Sequence, residues 1–215
     1  MNIRKTITHD RPIVLLGGGG HALSLLEAFP PLTRAIGYTA LEPSPKMPVE
    51  WLGDDETFRC LFKPEDVVML CALVYGGRPD LSLRRRIIES FIGYDFATLI
   101  APSAVVTDNC EIGEGAEIMH RAVINRARIG RNAVVNTGAI VEHDCSIGDN
   151  SFIGPGAVLG GEVEIGPDCF IGMGTCIRNG VSIAAGTVIG MGSVVTAHIT
   201  QPGTYAGSGN RLRRI

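Results

Sequence analysis

One arithmetic regularity limits what this chain can become. An aliphatic residue stands at Val106, Ile112, Ile118 and Ile124, and then from Ile129 at every sixth position as far as Val195. A single step of five, between Ile124 and Ile129, breaks the series. Two positions before each aliphatic sits a small or β-branched residue, from Ala104 and Cys110 to Thr187 and Ser193. A period of six fits neither the 3.6 of a helix nor the 2 of an ordinary strand. It marks a parallel β-helix of hexapeptide repeats, in which three short strands close one triangular coil of about 18 residues and roughly five coils stack. The neighbours of an inward residue in a strand point outward. The residue before each aliphatic is therefore external, and these residues sort into three faces. The first carries Val105, Val123, Ile140, Val158, Cys176 and Val194. The second carries Glu111, Arg128, Ser146, Glu164 and Ser182, and the third Glu117, Val134, Phe152, Phe170 and Val188. The second face is polar and the other two are apolar. Two apolar stripes and one wet face predict a homotrimer, each subunit offering one apolar face to each neighbour.

The same stacking sets side chains in columns 18 residues apart. His143 shares its column with Gly161, and Asn136 with Gly154, Gly172 and Gly190; Met173 and Met191 lie beside that strip. The strip reads equally well as corners that need glycine and as the floor of a groove for a long thin ligand. At Gly161, beside a histidine, the ligand reading is favoured. His143 sits in Val141-Glu142-His143-Asp144-Cys145, two residues past an inward valine, at a corner from which it reaches outward. Most lone surface histidines are inert; a position at an apolar boundary with Asp144 adjacent sets this one apart. A neutral imidazole held by a carboxylate is a suitable general base near neutral pH. His120, His143 and His198 fall in unrelated columns or far apart along the axis, so no metal site is expected.

The first half reads differently. Residues 13–16 form an apolar run ending in Gly17-Gly18-Gly19-Gly20, and an apolar helical pattern covers 21–29. Strand, glycine turn and helix N-terminus make a ready anion site, because free backbone N–H groups point out of the turn. Further strands are expected over 35–38, 66–73 and 96–100, with a loop marked by Pro43, Pro45 and Pro48. A helix is expected over 80–92 with Arg84, Arg85 and Arg86 on its solvent side. The fold class is thus an α/β N-terminal domain over 1–100, a small Rossmann-like βαβ unit, then the β-helix over 101–200 and a C-terminal tail over 201–215. Gly17-x-Gly19-x-x-Ala22 fits a relaxed dinucleotide fingerprint, but no carboxylate follows the second strand before Glu42. That argues against a full NAD site and for a nucleotide diphosphate on the loop, with a ligand-free tight turn as the plain alternative.

Composition removes other classes. A net charge of −3 gives no footprint for nucleic acid or an anionic membrane surface. No stretch approaches the ~20 apolar residues of a membrane span, and the N-terminus lacks a signal-peptide pattern. Of the 6 cysteines, Cys110, Cys145 and Cys169 occupy the small inward slot of the repeat and none forms a CxxC pair. They read as reduced core residues of a cytoplasmic protein.

The stretch from Asn136 through Glu142-His143-Asp144 to Gly148, continued by residues 154–161 and by Phe170-Ile-Gly-Met-Gly, resembles the bacterial sialic acid O-acetyltransferase and UDP-4-amino-sugar N-acetyltransferase family. The Gly17-Gly18-Gly19-Gly20-His21 loop resembles that family's nucleotide-sugar loop, so the likeness spans almost the whole chain. The resemblance implies a left-handed β-helix, a trimer and acetyl-CoA as co-substrate. By position it implies that His143 takes the proton from a sugar amine, that Asp144 orients the imidazole and that Asn136 contacts the acceptor sugar. It implies Gly161 backbone at the thioester carbonyl, Met173 and Gly190 along the pantetheine channel, and Gly18, Gly19 and His21 on the nucleotide-sugar. The chain departs from the family pattern in three places. Phe152 takes the place of a second histidine at the acetyl end of the co-substrate. No acid follows the second strand, and the usual Gly-x-Pro-Ala-Lys/Arg ending is replaced by Gly207-Ser208-Gly209-Asn210-Arg211. The terminal Arg211, Arg213 and Arg214 read as a solvated tail in preference to CoA-phosphate ligands. The function implied is acetyl-CoA-dependent N-acetylation of a nucleotide-linked amino sugar, a 4-amino-4,6-dideoxyhexose for a bacterial surface glycan such as lipopolysaccharide. Its rivals are O-acetylation of sialic acid or another sugar, and a catalytically silent nucleotide-sugar-binding scaffold.

Overall fold

The computed structural model describes residues 10–29, 35–74, 81–209 and 212–215. Strands β1 (Ile13–Leu16), β2 (Ala35–Thr39), β3 (Glu50–Trp51) and β4 (Val68–Cys71) form a parallel sheet in the order β3-β2-β1-β4. Both β1 and β4 are buried along their whole length, as expected of parallel strands covered on both faces. Helices α1 (Gly20–Ala28), α2 (Asp55–Leu61) and α3 (Ser82–Ser90) complete the α/β domain. Sequence reading missed β3 and α2, which are too short to display a period. Their one signal was a cap: the Asp54 carboxylate accepts the Thr57 N–H at 2.8 Å, with Asp55 and Glu56 in the first turn. The strand expected over 96–100 is a single bridge from Phe96 to Met69, after which Leu99–Ile100 already pairs with the second domain.

From Leu99 onward, two-residue strands stack in three parallel sheets, a left-handed β-helix. The registers repeat the sequence columns: Val134 pairs with Phe152 and Phe152 with Phe170, Ile140 with Val158, Arg128 with Ser146. Every inward aliphatic from Ile118 to Val195 is buried, each stabilising the coil by roughly 1.5–3 kcal/mol. Val106 and Ile112, in the first coil, are half-buried.

Three expectations change. Arg84 is 1% exposed, whereas Arg85 and Arg86 are exposed, because α3 lies on the β-helix along the side that carries Arg84. For the same reason only one of the two apolar stripes is open to a partner. Val134 and Phe152, with Leu81 before α3, form a buried cluster against which Val74 and Phe170 pack. The other stripe remains open, with Val105 56% and Val158 37% exposed. Finally, the end of the chain is folded rather than solvated. Thr204–Ala206 adds to the sheet beside Val188–Ile189, and Arg213–Arg214 pairs antiparallel to it with exposed side chains. Arg211 lies outside the described residues.

Candidate active site

The glycine turn is built by three different demands. Gly17 has φ +104°, a conformation glycine adopts without strain, and its N–H donates to the Thr39 carbonyl at 2.9 Å. Gly18 is required by packing, since a Cβ there would fall 2.4 Å from the Tyr38 ring. Gly19 and Gly20 have open space where a side chain would be and begin α1 with no side-chain cap. The first N–H groups of α1 are left for a ligand, and the helix dipole favours an anion there.

A cavity of about 520 Å³ opens from this turn. It lies past the C-terminal ends of β1 and β4, where the strand order switches direction, the usual ligand crevice of such sheets. Gly19 and His21 line one side; Asn136, Phe152, Phe170 and Met173 of the β-helix line the other. Phe152 and Phe170 stack at 5.0 Å between ring centroids and give that wall an apolar surface. Asn136 stands at a corner of the coil, where its Oδ1 accepts the Thr137 N–H at 2.6 Å.

His143 occupies the next corner along the coil. Its Nδ1 lies 3.0 Å from Asp144 Oδ2, and 53% of its side chain is exposed. The hydrogen bond from His143 holds the Asp144 carboxyl below the usual carboxylate range, helped by the charge of Arg126. With Nδ1–H donating to the carboxylate, Nε2 is left as the basic nitrogen. The imidazole lies over Gly161, where a Cβ would come within 2.6 Å of both Cε1 and Nε2. Among the described residues the Gly161 N–H meets no hydrogen-bond acceptor. The five-residue step finds its reason here. In the coil below, Asn125 lies under Glu142 (3.2 Å), Arg126 under Asp144 (3.4 Å), and Arg128 pairs with Ser146. The omitted residue is the one that would stand under His143, so the imidazole has a gap in its column on one side and a glycine on the other.

The glycine strip has a different cause. A Cβ on Gly154 would fall 2.6 Å from Met173 N, and one on Gly172 2.5 Å from Met191 N. The backbone of the following coil fills that space, so packing alone already demands glycine at these two positions. Gly190 faces Ala206 of the returning strand, 3.1 Å from where its Cβ would be, outside the cavity. The structure thus unites Gly19, His21, Asn136, Phe152 and Met173, and leaves His143, Asp144 and Gly161 together elsewhere. Asn136 precedes the strand Ile140–Val141 and His143 follows it, so the two groups flank opposite edges of the open apolar face. Sequence reading missed two charged residues behind the cavity, Glu117 and Arg84, both buried. The signal for Glu117 was a carboxylate in an otherwise apolar stripe.

The bacterial transferase hexapeptide (six repeats) family profile matches residues 126–161 and 162–197. No curated protein sequence matches the chain. Among solved structures, the acetyltransferase domain of PglB from Neisseria gonorrhoeae FA1090, in complex with acetyl coenzyme A, is similar at 27% identity and TM-score 0.84, over 96% of this chain and 100% of that one. PerB from Caulobacter crescentus, in complex with CoA and GDP-perosamine, is similar at 29% identity and TM-score 0.83, over 96% and 98%. WeeI from Acinetobacter baumannii AYE shares the fold at 22% identity and TM-score 0.76, over 95% and 100%.

Proposed function

The chain belongs to the hexapeptide-repeat sugar acetyltransferases, and we propose that it transfers the acetyl group of acetyl-CoA to the amine of a nucleotide-linked amino sugar. The sugar in this reading is a 4-amino-4,6-dideoxyhexose destined for a bacterial surface glycan. The observation that carries it is the cavity between the domains, where the unshielded start of α1 faces Asn136, Phe152 and Met173. A diphosphate anchored on the glycine turn would carry its sugar toward the β-helix. The similarity to PerB held with CoA and GDP-perosamine, and to a PglB domain held with acetyl-CoA, supports both substrates.

In this reading residues 1–100 bind the nucleotide-sugar through Gly19 and His21, with Gly18 shaping the turn, and residues 101–200 carry acetyl transfer. His143 Nε2 takes the proton of the amine as its nitrogen attacks the thioester carbonyl; the C–S bond then breaks and the imidazolium returns the proton to the departing CoA thiolate, while Asp144 fixes the ring and balances the charge of the imidazolium. The Gly161 N–H donates to the carbonyl oxygen as charge develops on it. Asn136 orients the acceptor, while Phe152 and Met173 offer an apolar wall to the acetyl and pantetheine groups. Most of the rate comes from orientation, together with one proton transfer. The site is completed by assembly: a homotrimer that buries the open apolar face against a neighbour would bring the histidine corner of one copy to the cavity of the next. A cytoplasmic location fits acetyl-CoA as co-substrate.

The test is thiol release from acetyl-CoA with a panel of amino-sugar nucleotides and sialic acid. Turnover on an amino-sugar nucleotide, lost almost entirely in His143→Ala while that variant still binds acetyl-CoA, is the expected result. Normal turnover in His143→Ala refutes the assignment. Release only with sialic acid favours O-acetylation, and no release with any acceptor leaves the scaffold reading.

A further inference from the structure

The outward stripe that the α/β domain covers is apolar except at Glu117, which is fully buried. Its register partners are Leu99 and Val134. A carboxylate buried there is costly unless partnered, and both of its partners come from the other domain. His21 Nε2, in the first turn of α1, lies 2.7 Å from Glu117 Oε2. The Arg84 guanidinium of α3 stands 3.6 Å from Glu117 Oε1. Arg84 is tied down by its own hydrogen bonds: Nε donates to the Leu73 carbonyl at 2.8 Å, and Nη1 to the Asn132 carbonyl at 2.7 Å and Asn150 Oδ1 at 2.5 Å. Among the described residues Arg84 Nη2 and Glu117 Oε1 make no hydrogen bond. Arg84 therefore balances the charge of Glu117, and the directed hydrogen bond of the carboxylate goes to His21.

We infer that Glu117 is a positioning residue for His21 and, through it, a determinant of nucleotide binding. With Nε2 taken by the carboxylate, Nδ1 is the ring nitrogen left for a ligand in the cavity that His21 lines. A carboxylate partner fixes both the orientation and the tautomer of an imidazole. The ring is thereby held between the buried carboxylate and the ligand site at the start of α1. Because His21 and Glu117 belong to different domains, the anion site is complete only when the α/β domain is docked on the β-helix. The inference rests on the nucleotide-sugar reading proposed above.

The test is a double-variant cycle on nucleotide affinity, using the full chain. UDP, GDP and dTDP are titrated by calorimetry into the wild-type protein, and the one that binds is titrated into His21→Ala, Glu117→Gln and the combined variant. His21→Ala is expected to weaken binding about tenfold, the scale of one hydrogen bond to a charged group. Glu117→Gln is expected to weaken it severalfold, and the combined variant to match His21→Ala within about twofold, because Glu117 acts only through His21. Affinity for CoA is unchanged throughout. If Glu117→Gln folds poorly because Arg84 is left uncompensated, Glu117→Leu with Arg84→Met removes both charges and enters the same cycle. Losses that multiply in the combined variant, a parallel loss of CoA affinity, or unchanged nucleotide affinity without the carboxylate would overturn the inference. If no nucleoside diphosphate binds the wild-type protein, the nucleotide-sugar reading fails and the inference falls with it; the wild-type titration tells the two failures apart.

Discussion

A single methyl group at Gly161 is expected to disable the site without unfolding the protein. A Cβ there falls 2.6 Å from Cε1 and Nε2 of His143, against an optimal separation of about 3.5–4.0 Å between non-bonded carbons. The ring must retreat by roughly 1 Å. The His143 side chain is 53% exposed and swings toward solvent at little cost. Gly161 is not among the residues with positive φ, so alanine adds no left-handed strain. The change in stability is therefore expected within about 0.5 kcal/mol, the range of an ordinary surface substitution. Proton transfer is less forgiving, since a misplacement of about 1 Å costs on the order of 10²-fold in rate, or about 2.7 kcal/mol of barrier. The assay pairs kcat from thiol release with urea unfolding of Gly161→Ala. A fall of about a hundredfold in kcat at unchanged stability supports the role given to His143. A wild-type kcat refutes it, and a collapse of stability with kcat makes Gly161 a corner glycine and no more.

Other consequences are open to direct measurement. Val158→Lys puts a charge on the open apolar face, so the mass read by light scattering is expected to drop from trimer to monomer; an unchanged mass removes that face from the assembly. Burial pushes the Cys169 thiol up to about 11 and raises that of Cys145, while Cys60 and Cys176 are exposed. Alkylation of the native protein followed by peptide mapping is expected to label Cys60 and spare Cys145 and Cys169, while Cys176, on the open apolar face, is labelled only once the assembly is broken. The depressed Asp144 carboxyl favours the folded state above its unfolded value, and that contribution is lost as the pH falls through the lower folded value. In an NMR titration Asp144 is expected to protonate below the ordinary carboxylate range, and at a higher pH in His143→Ala. Coincident titrations in the two proteins would break the proposed dyad.

The β-helix was legible because each coil repeats the same inward slot, and a repeat reports its own period. What lies on its outside is not periodic. Arg84 is one of three consecutive arginines on an amphipathic helix, and only the corners carrying Asn132 and Asn150 distinguish it from Arg85 and Arg86. Two apolar stripes read as two partner faces because nothing in the repeat tells whether a neighbour or the chain's own domain covers them. A glycine demanded by the next coil's backbone, as at Gly154, looks the same in sequence as one beneath a histidine, as at Gly161. His143 and Asp144 are adjacent and were found together. His21 and Glu117 are 96 residues apart, and no local pattern links them.

The most direct test of the whole account is the product itself. Wild-type protein is incubated with isotopically labelled acetyl-CoA and a nucleotide-linked 4-amino-4,6-dideoxyhexose, and the sugar is read by NMR. The account predicts the labelled acetyl group on the amino nitrogen, with none transferred by His143→Ala. Label on a hydroxyl, or no label on any sugar nucleotide offered, would contradict it.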